Sequence, residues 1–389
     1  MGLFACFTLH AWHRHGPDRV HDYRETPTLT KRRRSQRWLG ACLSICLSAS
    51  HALAEGVRIA IFDTELSRDG PGLLLRDILN GDDPQVGAVL GVISEAAPDI
   101  LVLADIDYDA DNLALNALAD AIGSFPFRFA RAPNRGMQSG FDADGDGRFG
   151  EPEDAQGYGR FSGDGGLAIL SKFPIIEDQV IDYSDVLWTS LAENTAPEGT
   201  DSNQRLSTTA HWQVPIQITD GAPLHLLTWH ATAPVFDGPE DRNGWRNHDE
   251  AAFWLNWLDQ SSPDVPFVIA GIANIDPSDG GGRRNALQGL LDHRRLQDPQ
   301  PMSPGGATSP DGGVNETHKG NPGLDTVDWP DEGRGPGNLR VAYILPSAEL
   351  TILDSGVLWP EDATTSLGRD VRAASRHRLV WVDLRFQRH

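Results

Sequence analysis

Pro266-Phe267-Val268-Ile269-Ala270-Gly271-Ile272-Ala273-Asn274 is the stretch on which the fold turns. The apolar run from Pro266 to Ile269 leads into a glycine and ends at an asparagine. That pattern reads as a buried strand closing in a tight turn.

On its N-terminal side, Leu224 to His230 is an apolar strand that closes on Trp229-His230, and Trp245 to Asp259 is a helix with Trp254, Leu255 and Leu258 toward the core. Earlier still, Val57 to Phe62 is a strand, Pro84 to Ala96 an amphipathic helix, Asp99 to Leu103 a short apolar strand and Leu113 to Ile122 a second helix. A Gly- and Asp-rich loop spans Pro133 to Gly165. Strands are expected at Gly166 to Leu170, Ile175 to Tyr183 and Thr208 to Ile218. On the C-terminal side, Asn285 to Asp292 is a short helix, and residues 299–338 form a long loop or cover. The chain finishes in strands at Leu339 to Leu345, Glu349 to Leu353 and Arg378 to Phe386. Two mainly antiparallel sheets packed face to face, with helices on both outer faces, accommodate this order. The predicted class is α+β, a four-layer αββα sandwich.

Several strand ends resemble the motifs of the endonuclease/exonuclease/phosphatase superfamily, the DNase I-like metal-dependent phosphoesterases, over nearly all of residues 55–389. The resemblance implies a divalent cation (Mg²⁺ or Mn²⁺) that polarises a phosphate, an Asp–Asn pair that activates water, and a His–Asp pair that stabilises developing charge. On this chain it points to His230, Asn274 and His377 as catalytic side chains. It points to Asp63 and Asp105, at the ends of the first two strands, as possible metal ligands in place of the usual Asn and Glu. Each is also readable as a solvated turn acid, and Asp107 and Asp109 compete with Asp105. His230 is also readable as a satisfied core histidine.

Three motif positions depart from the family. Ile272 stands where the Gly-Asp-Phe-Asn pattern has its aspartate. Ala342 stands at the aspartate of Arg-x-Asp-Tyr, in Arg340-Val341-Ala342-Tyr343. Arg376 replaces the acid beside His377 in Ser375-Arg376-His377-Arg378, and a neighbouring guanidinium pushes an imidazole toward its neutral form. Losing one such acid costs ~10²–10⁴-fold in rate. The sequence therefore predicts a phosphoesterase scaffold with catalysis reduced or lost, possessing a pocket for a phosphoester. An active metal-dependent phosphatase, phosphodiesterase or nuclease that recruits other carboxylates is one alternative, and Asp276, Asp279 and Asp325 are candidates for that role. The loop Phe236 to Gly244 resembles one found in a secreted bacterial branch of the superfamily.

A second metal signal is independent of these motifs. Asp142-Ala143-Asp144-Gly145-Asp146-Gly147, with Glu153 at the twelfth position, fits the calcium-loop pattern. Its flanks are poor helices, which predicts a Ca²⁺ loop without paired EF-hand helices, or else an acidic surface loop. A calcium-stabilised extracellular binding protein is the remaining alternative.

Residues 1–54 read separately. Lys31-Arg32-Arg33-Arg34, an apolar stretch from Trp38 to Leu47 and Ala52-Leu53-Ala54 give a long basic n-region, an h-region and a cleavage site. Cleavage after Ala54 would deliver a secreted or periplasmic protein; the bland reading is a basic tail. All three cysteines (Cys6, Cys42 and Cys46) precede the cut, which excludes disulfides and thiolate zinc sites beyond it. The formal charge of the 389-residue chain is −22, and the leader carries 8 Lys and Arg against 3 Asp and Glu, so the remainder is more acidic still. Such a field repels nucleic acid and favours a small phosphoester or lipid headgroup. No later stretch has the ~18 apolar residues of a membrane span.

Overall fold

A computed structural model describes residues 56–260, 265–309 and 312–386. The expected leader and its cut near Ala54 lie outside the described residues.

Two sheets pack face to face. The first holds β1 (Val57–Leu66), β2 (Ile100–Ile106), β3 (Phe127–Phe129), β4 (Gly166–Ser171), β12 (Thr351–Val357) and β13 (Val380–Arg385), in the order β12-β13-β1-β2-β4-β3. The second holds β5 (Ile181–Asp182), β6 (His211–Ile216), β7 (Leu224–His230), β8 (Phe267–Ile272) and β11 (Ala342–Pro346), in the order β11-β8-β7-β6-β5. β1–β2 and β7–β8 are parallel pairs; the other ladders of both sheets are antiparallel. β9 (Val327–Asp328) and β10 (Asn338–Leu339) form a small separate ribbon.

Strand alternation builds three cores. Ile59, Ile61, Val102 and Val382 meet Trp212, Val214, Leu226 and Val268 between the sheets. Phe62, Leu101 and Leu103 turn outward onto α1 (Leu73–Asn80), α2 (Pro84–Ala96), α3 (Leu113–Ile122) and α7 (Ser366–Ala374). Leu227, Trp229, Ile269 and Tyr343 turn outward from the second sheet onto α4 (Arg242–Gln260) and α5 (Asn285–Leu291). Central strands are thus buried on both faces, which is why they read as continuous apolar runs. Each such side chain contributes about 1.5–3 kcal/mol on burial. The four-layer αββα expectation holds. Gly271 is demanded by this packing, because a Cβ there would lie 2.1 Å from the Trp229 ring.

The structure corrects or adds to the sequence reading at four places. The stretch 175–183 is strand only at Ile181–Asp182, since a 3₁₀ turn at Glu177–Gln179 intervenes. α7 was missed because its polar sequence buries only Gly368, Val371 and Ala374, although Thr365 caps it through Gly368 N–H at 3.0 Å. α4 has a polar buried face in its first half. There Arg246, Asn247, Asp249 and Glu250 are all buried. The cover over 299–338 is not structureless, for it contains α6 (Pro304–Thr308) and the β9–β10 ribbon. Among the described residues, no helix is long and apolar enough to cross a membrane.

Candidate active site

The strands of both sheets end at a common cleft of about 520 Å³. Paired bulges at the ends of β1 and β2 aim carboxylates into it. Thr64 and Glu65 stand opposite the single residue Asp105 between the Asp63–Ala104 and Leu66–Ile106 pairs. Glu65 (φ 49°) and Asp105 (φ 51°) adopt the left-handed conformation unusual for non-glycine residues. Asp63, Glu65 and Asp105 all line the cleft.

From the second sheet, His230 pairs with Ile272 across β7–β8, and Ile272 pairs with Ala342 across β8–β11. The motif positions are therefore neighbours in space. Ile272 and Ala342 are sealed in the inter-sheet core. Asn274 follows at φ 53° and lines the cleft, with Nδ2 donating to Ala231 O at 2.8 Å. Buried Asn247 of α4 holds this rim, donating to Thr232 O and Ala273 O, each at 2.7 Å. Glu250 accepts from Thr208 N and Thr232 N at 2.7 and 2.6 Å.

The residues flanking Ala342 and Arg376 are held by hydrogen bonds. The single Tyr343 O–H proton is shared between Arg340 O (2.7 Å) and Ile275 O (3.0 Å), and Arg340 makes two bonds to Asp298 (2.8 and 2.6 Å). Ser375 Oγ accepts from His377 N at 3.0 Å, and Arg378 reaches Ser375 O and Asp328, both at 2.7 Å.

His230 and His377 approach the same oxygen. Their Nε2 atoms lie 3.8 and 3.7 Å from Asp63 Oδ2, beyond hydrogen-bond length. Burial lowers the pKa of both imidazoles, His377 to about 4, against the pull of nearby carboxylates. Arg376 and Arg378 push His377 the same way as burial, more weakly. Burial raises Asp63 to about 7, opposed by His230 and aided by Asp105 and Glu65.

The other two carboxylates are claimed by guanidinium groups. Arg135 Nη1 donates to Asp105 Oδ1 at 2.5 Å, and Ser67 Oγ lies 3.3 Å from Oδ2. Burial alone would raise Asp105, but Arg135 and then His230 outweigh it and hold its pKa low. Gly165 (φ +64°) makes room for this pair, since a Cβ there would fall 2.3 Å from Asp105 Oδ1 and 2.4 Å from Arg135 Nη1. Glu65 accepts from Arg376 N at 2.8 Å and Nε at 2.7 Å, and from Nη2 as well. Burial would raise Glu65 too, but the Arg376 hydrogen bonds bring it below its ordinary value. Sequence reasoning missed Glu65 and Arg135. Glu65's proximity to Asp63 was a weak signal, and nothing local marked Arg135.

The other candidate acids lie elsewhere. Asp107 accepts from Arg68 N (3.0 Å) and Gly165 N (3.1 Å), and Asp109 accepts from Ala114 N (3.0 Å) at the start of α3. Asp279 and Asp325 line a separate pocket of about 90 Å³. Asp276 is spent on the backbone N–H groups of Ser278, Asp279 and Arg340.

A sequence profile described as the Endonuclease/Exonuclease/phosphatase family matches residues 77–377. The chain belongs to this family. An endonuclease/exonuclease/phosphatase from Beutenbergia cavernae has a similar structure, at 18% identity and TM-score 0.52, covering 85% of this chain and 72% of that one. A mannosyl-6-phosphatase from Bacteroides thetaiotaomicron matches at 13% identity and TM-score 0.47 (85% and 100% covered). Sphingomyelinase C from Streptomyces griseocarneus matches at 14% and 0.46 (84% and 99% covered). No curated protein matches the sequence.

The endonuclease/exonuclease/phosphatase family consists of phosphoester hydrolases that usually use a divalent cation, and the donors here do not fit such a centre. Asp105 and Glu65 each carry a guanidinium, while Ile272 and Ala342 offer no oxygen. Asp63 and Asn274 remain as oxygen donors.

Away from the cleft, carboxylate oxygens of Asp142, Asp144 and Asp146 lie within 4.8 Å of one another. Asp142 accepts from Gly145 N (2.7 Å) and Gly147 N (2.8 Å). Glu153 does not join this group. It is exposed on a 3₁₀ turn at Pro152–Asp154, and buried Asp154 instead turns back to accept from Ala143 N at 2.7 Å. No paired helices flank the loop.

Proposed function

We propose that this protein binds a phosphoester in the cleft and that hydrolysis by the family's metal-assisted route is reduced or lost. The observation that supports this reading is the row His230–Ile272–Ala342, in register across three strands. It sets apolar side chains where the family motifs have proton-handling acids. An apolar wall including Pro234, Val235, Trp329 and Leu339 faces the polar groups and suits a small phosphoester or lipid headgroup with an apolar body. Nucleic acid is a poor fit to a chain of formal charge −22. Secretion after removal of the leader is supported by the basic, apolar and Ala-x-Ala order of residues 31–54.

The test is turnover by purified protein on generic phosphomonoesters and phosphodiesters with Mg²⁺, Mn²⁺ or Ca²⁺. The expected result is weak or no hydrolysis alongside calorimetric binding of a phosphomonoester. Robust turnover abolished by His230→Ala would overturn the reading in favour of an active enzyme.

A second reading concerns the Asp142–Asp144–Asp146 loop. Three converging carboxylates on a glycine-shaped turn support Ca²⁺ bound in a structural role.

A further inference from the structure

We infer that the cleft takes a phosphate monoester without a divalent cation, the guanidinium groups of Arg135, Arg376 and Arg334 receiving the phosphate charge in the cation's stead. This rests on the phosphoester-binding reading above.

Consider what surrounds the cleft. Its charged lining is Asp63, Glu65 and Asp105 against Arg135, Arg334 and Arg376. That is an even balance in a chain with 55 acidic and 33 basic residues. The acids are not free to hold a cation, because Asp105 and Glu65 are already neutralised by ion pairs. Asp63 alone is left without a guanidinium, and it is buried facing the Nε2 atoms of His230 and His377 at 3.8 and 3.7 Å.

The arginines, by contrast, keep donors in reserve. Arg135 spends Nη1 on Asp105 and Gly165 O, and Nε lies 3.4 Å from Tyr158 O. Its Nη2 has no hydrogen-bond partner among the described residues. Arg376 spends Nε and Nη2 on Glu65, leaving Nη1. Arg334 lines the same cleft, is exposed, and makes no hydrogen bond or ion pair among the described residues. A guanidinium anchored by a carboxylate on one edge is a pre-oriented fork for a phosphate on the other. The strained Asp105 backbone and the missing Cβ at Gly165 hold the Arg135 fork in place. A divalent cation would have to displace these guanidinium groups from their carboxylates before it could bind.

Isothermal titration of the full-length protein, in EDTA and again in Mg²⁺, tests this with inorganic phosphate, phenyl phosphate and dihexanoyl phosphatidic acid as probes. Binding of a monoester in EDTA, changed less than about threefold by Mg²⁺, is expected. Tightest binding by phosphatidic acid would identify a lipid source, and tightest binding by phenyl phosphate a soluble ester; both support the inference. Arg135→Lys retains a cation for Asp105 but removes the second fork, so it should weaken binding about tenfold. Arg334→Gln, at an exposed position, tests the same donor set without disturbing an ion pair and should weaken binding severalfold. Unchanged affinity in both variants would overturn the inference. Binding in Mg²⁺ alone would also overturn it while leaving the phosphoester-binding reading intact. No binding in either condition would bring down both.

Discussion

Glu65 and Arg376 form a two-sided clasp across the cleft mouth. Glu65 Oε2 takes the Arg376 backbone N–H at 2.8 Å, while Oε1 takes Nε at 2.7 Å and also Nη2. The clasp joins the bulged end of β1 to the segment carrying His377, so the Arg376 guanidinium has a partner positioned for it.

Because the Arg376 side chain is 59% exposed and that of Glu65 21%, solvent screens the pair. A double-mutant cycle of Glu65→Gln and Arg376→Gln should give a coupling of about 1 kcal/mol or less in urea unfolding, shrinking with added salt. No coupling at any salt concentration would show that the backbone hydrogen bond, which survives both substitutions and cancels in the cycle, dominates the clasp.

Placing acids at the three motif positions is the sharper experiment. The combination Ile272→Asp, Ala342→Asp and Arg376→Asp places two carboxylates in a sealed core and a third beside Glu65. An unpaired buried charge costs about 3 kcal/mol or more, so the apo variant should melt well below the parent. Mg²⁺ should recover part of that loss by binding the folded state, and hydrolysis should rise ~10²-fold above the parent. Loss of stability with no metal rescue and no gain in turnover would mean that the cleft has drifted beyond repair.

The sequence made one half of the cleft legible and hid the other. His230, Ile272, Asn274 and Ala342 sit at or next to the ends of apolar strands, where a period-two pattern and a turn mark the position of each side chain. Strand register then brings them together without further information. Asp63 and Asp105 were legible as the ends of the first two strands, but Glu65 depends on a bulge, and a bulge leaves no periodic trace. Arg135 comes from the Gly-rich loop, and only the tertiary fold brings it to Asp105. The same blindness explains the polar face of α4. Asn247 and Glu250 would read as solvent-facing, yet both are buried because loop backbone groups need partners there.

The acidic loop makes its own prediction. If Ca²⁺ binds Asp142, Asp144 and Asp146, saturating calcium should raise the melting temperature by about 5 °C. Asp142→Asn with Asp146→Asn should remove the rise. Glu153→Gln should leave it largely intact, because Glu153 stands apart from the three aspartates. A melting temperature indifferent to calcium in the parent would reduce the loop to an acidic surface turn.

Asp325 offers a pH test remote from the cleft. Burial first, then Asp276 and Asp279, raises its pKa to about 8. An acid whose folded pKa is raised destabilises the fold progressively as pH climbs from its unfolded value toward its folded one. Asp325→Asn should therefore melt higher than the parent at pH 8 and close to it at pH 4. The reverse order would mean that the carboxylate is stabilised in its ionised form.

Asp63 and His377 pull the pH profile of the cleft in opposite directions. Asp63 has its pKa raised by burial from 3.8 to about 7, so the stability it contributes when protonated is full below about 4 and fades as pH rises through 7. Burial lowers His377 from 6.5 to about 4, so its stability is full above 6.5 and is lost as pH falls through 4. Asp63→Asn removes the first effect while keeping an oxygen beside both imidazoles. It should raise the melting temperature by several degrees at pH 8, have little effect at pH 4, and leave the acid-side decline in place. A parent and an Asp63→Asn variant with parallel melting curves from pH 4 to 8 would show that Asp63 is ionised throughout. The two imidazoles that approach it would then be holding a full negative charge.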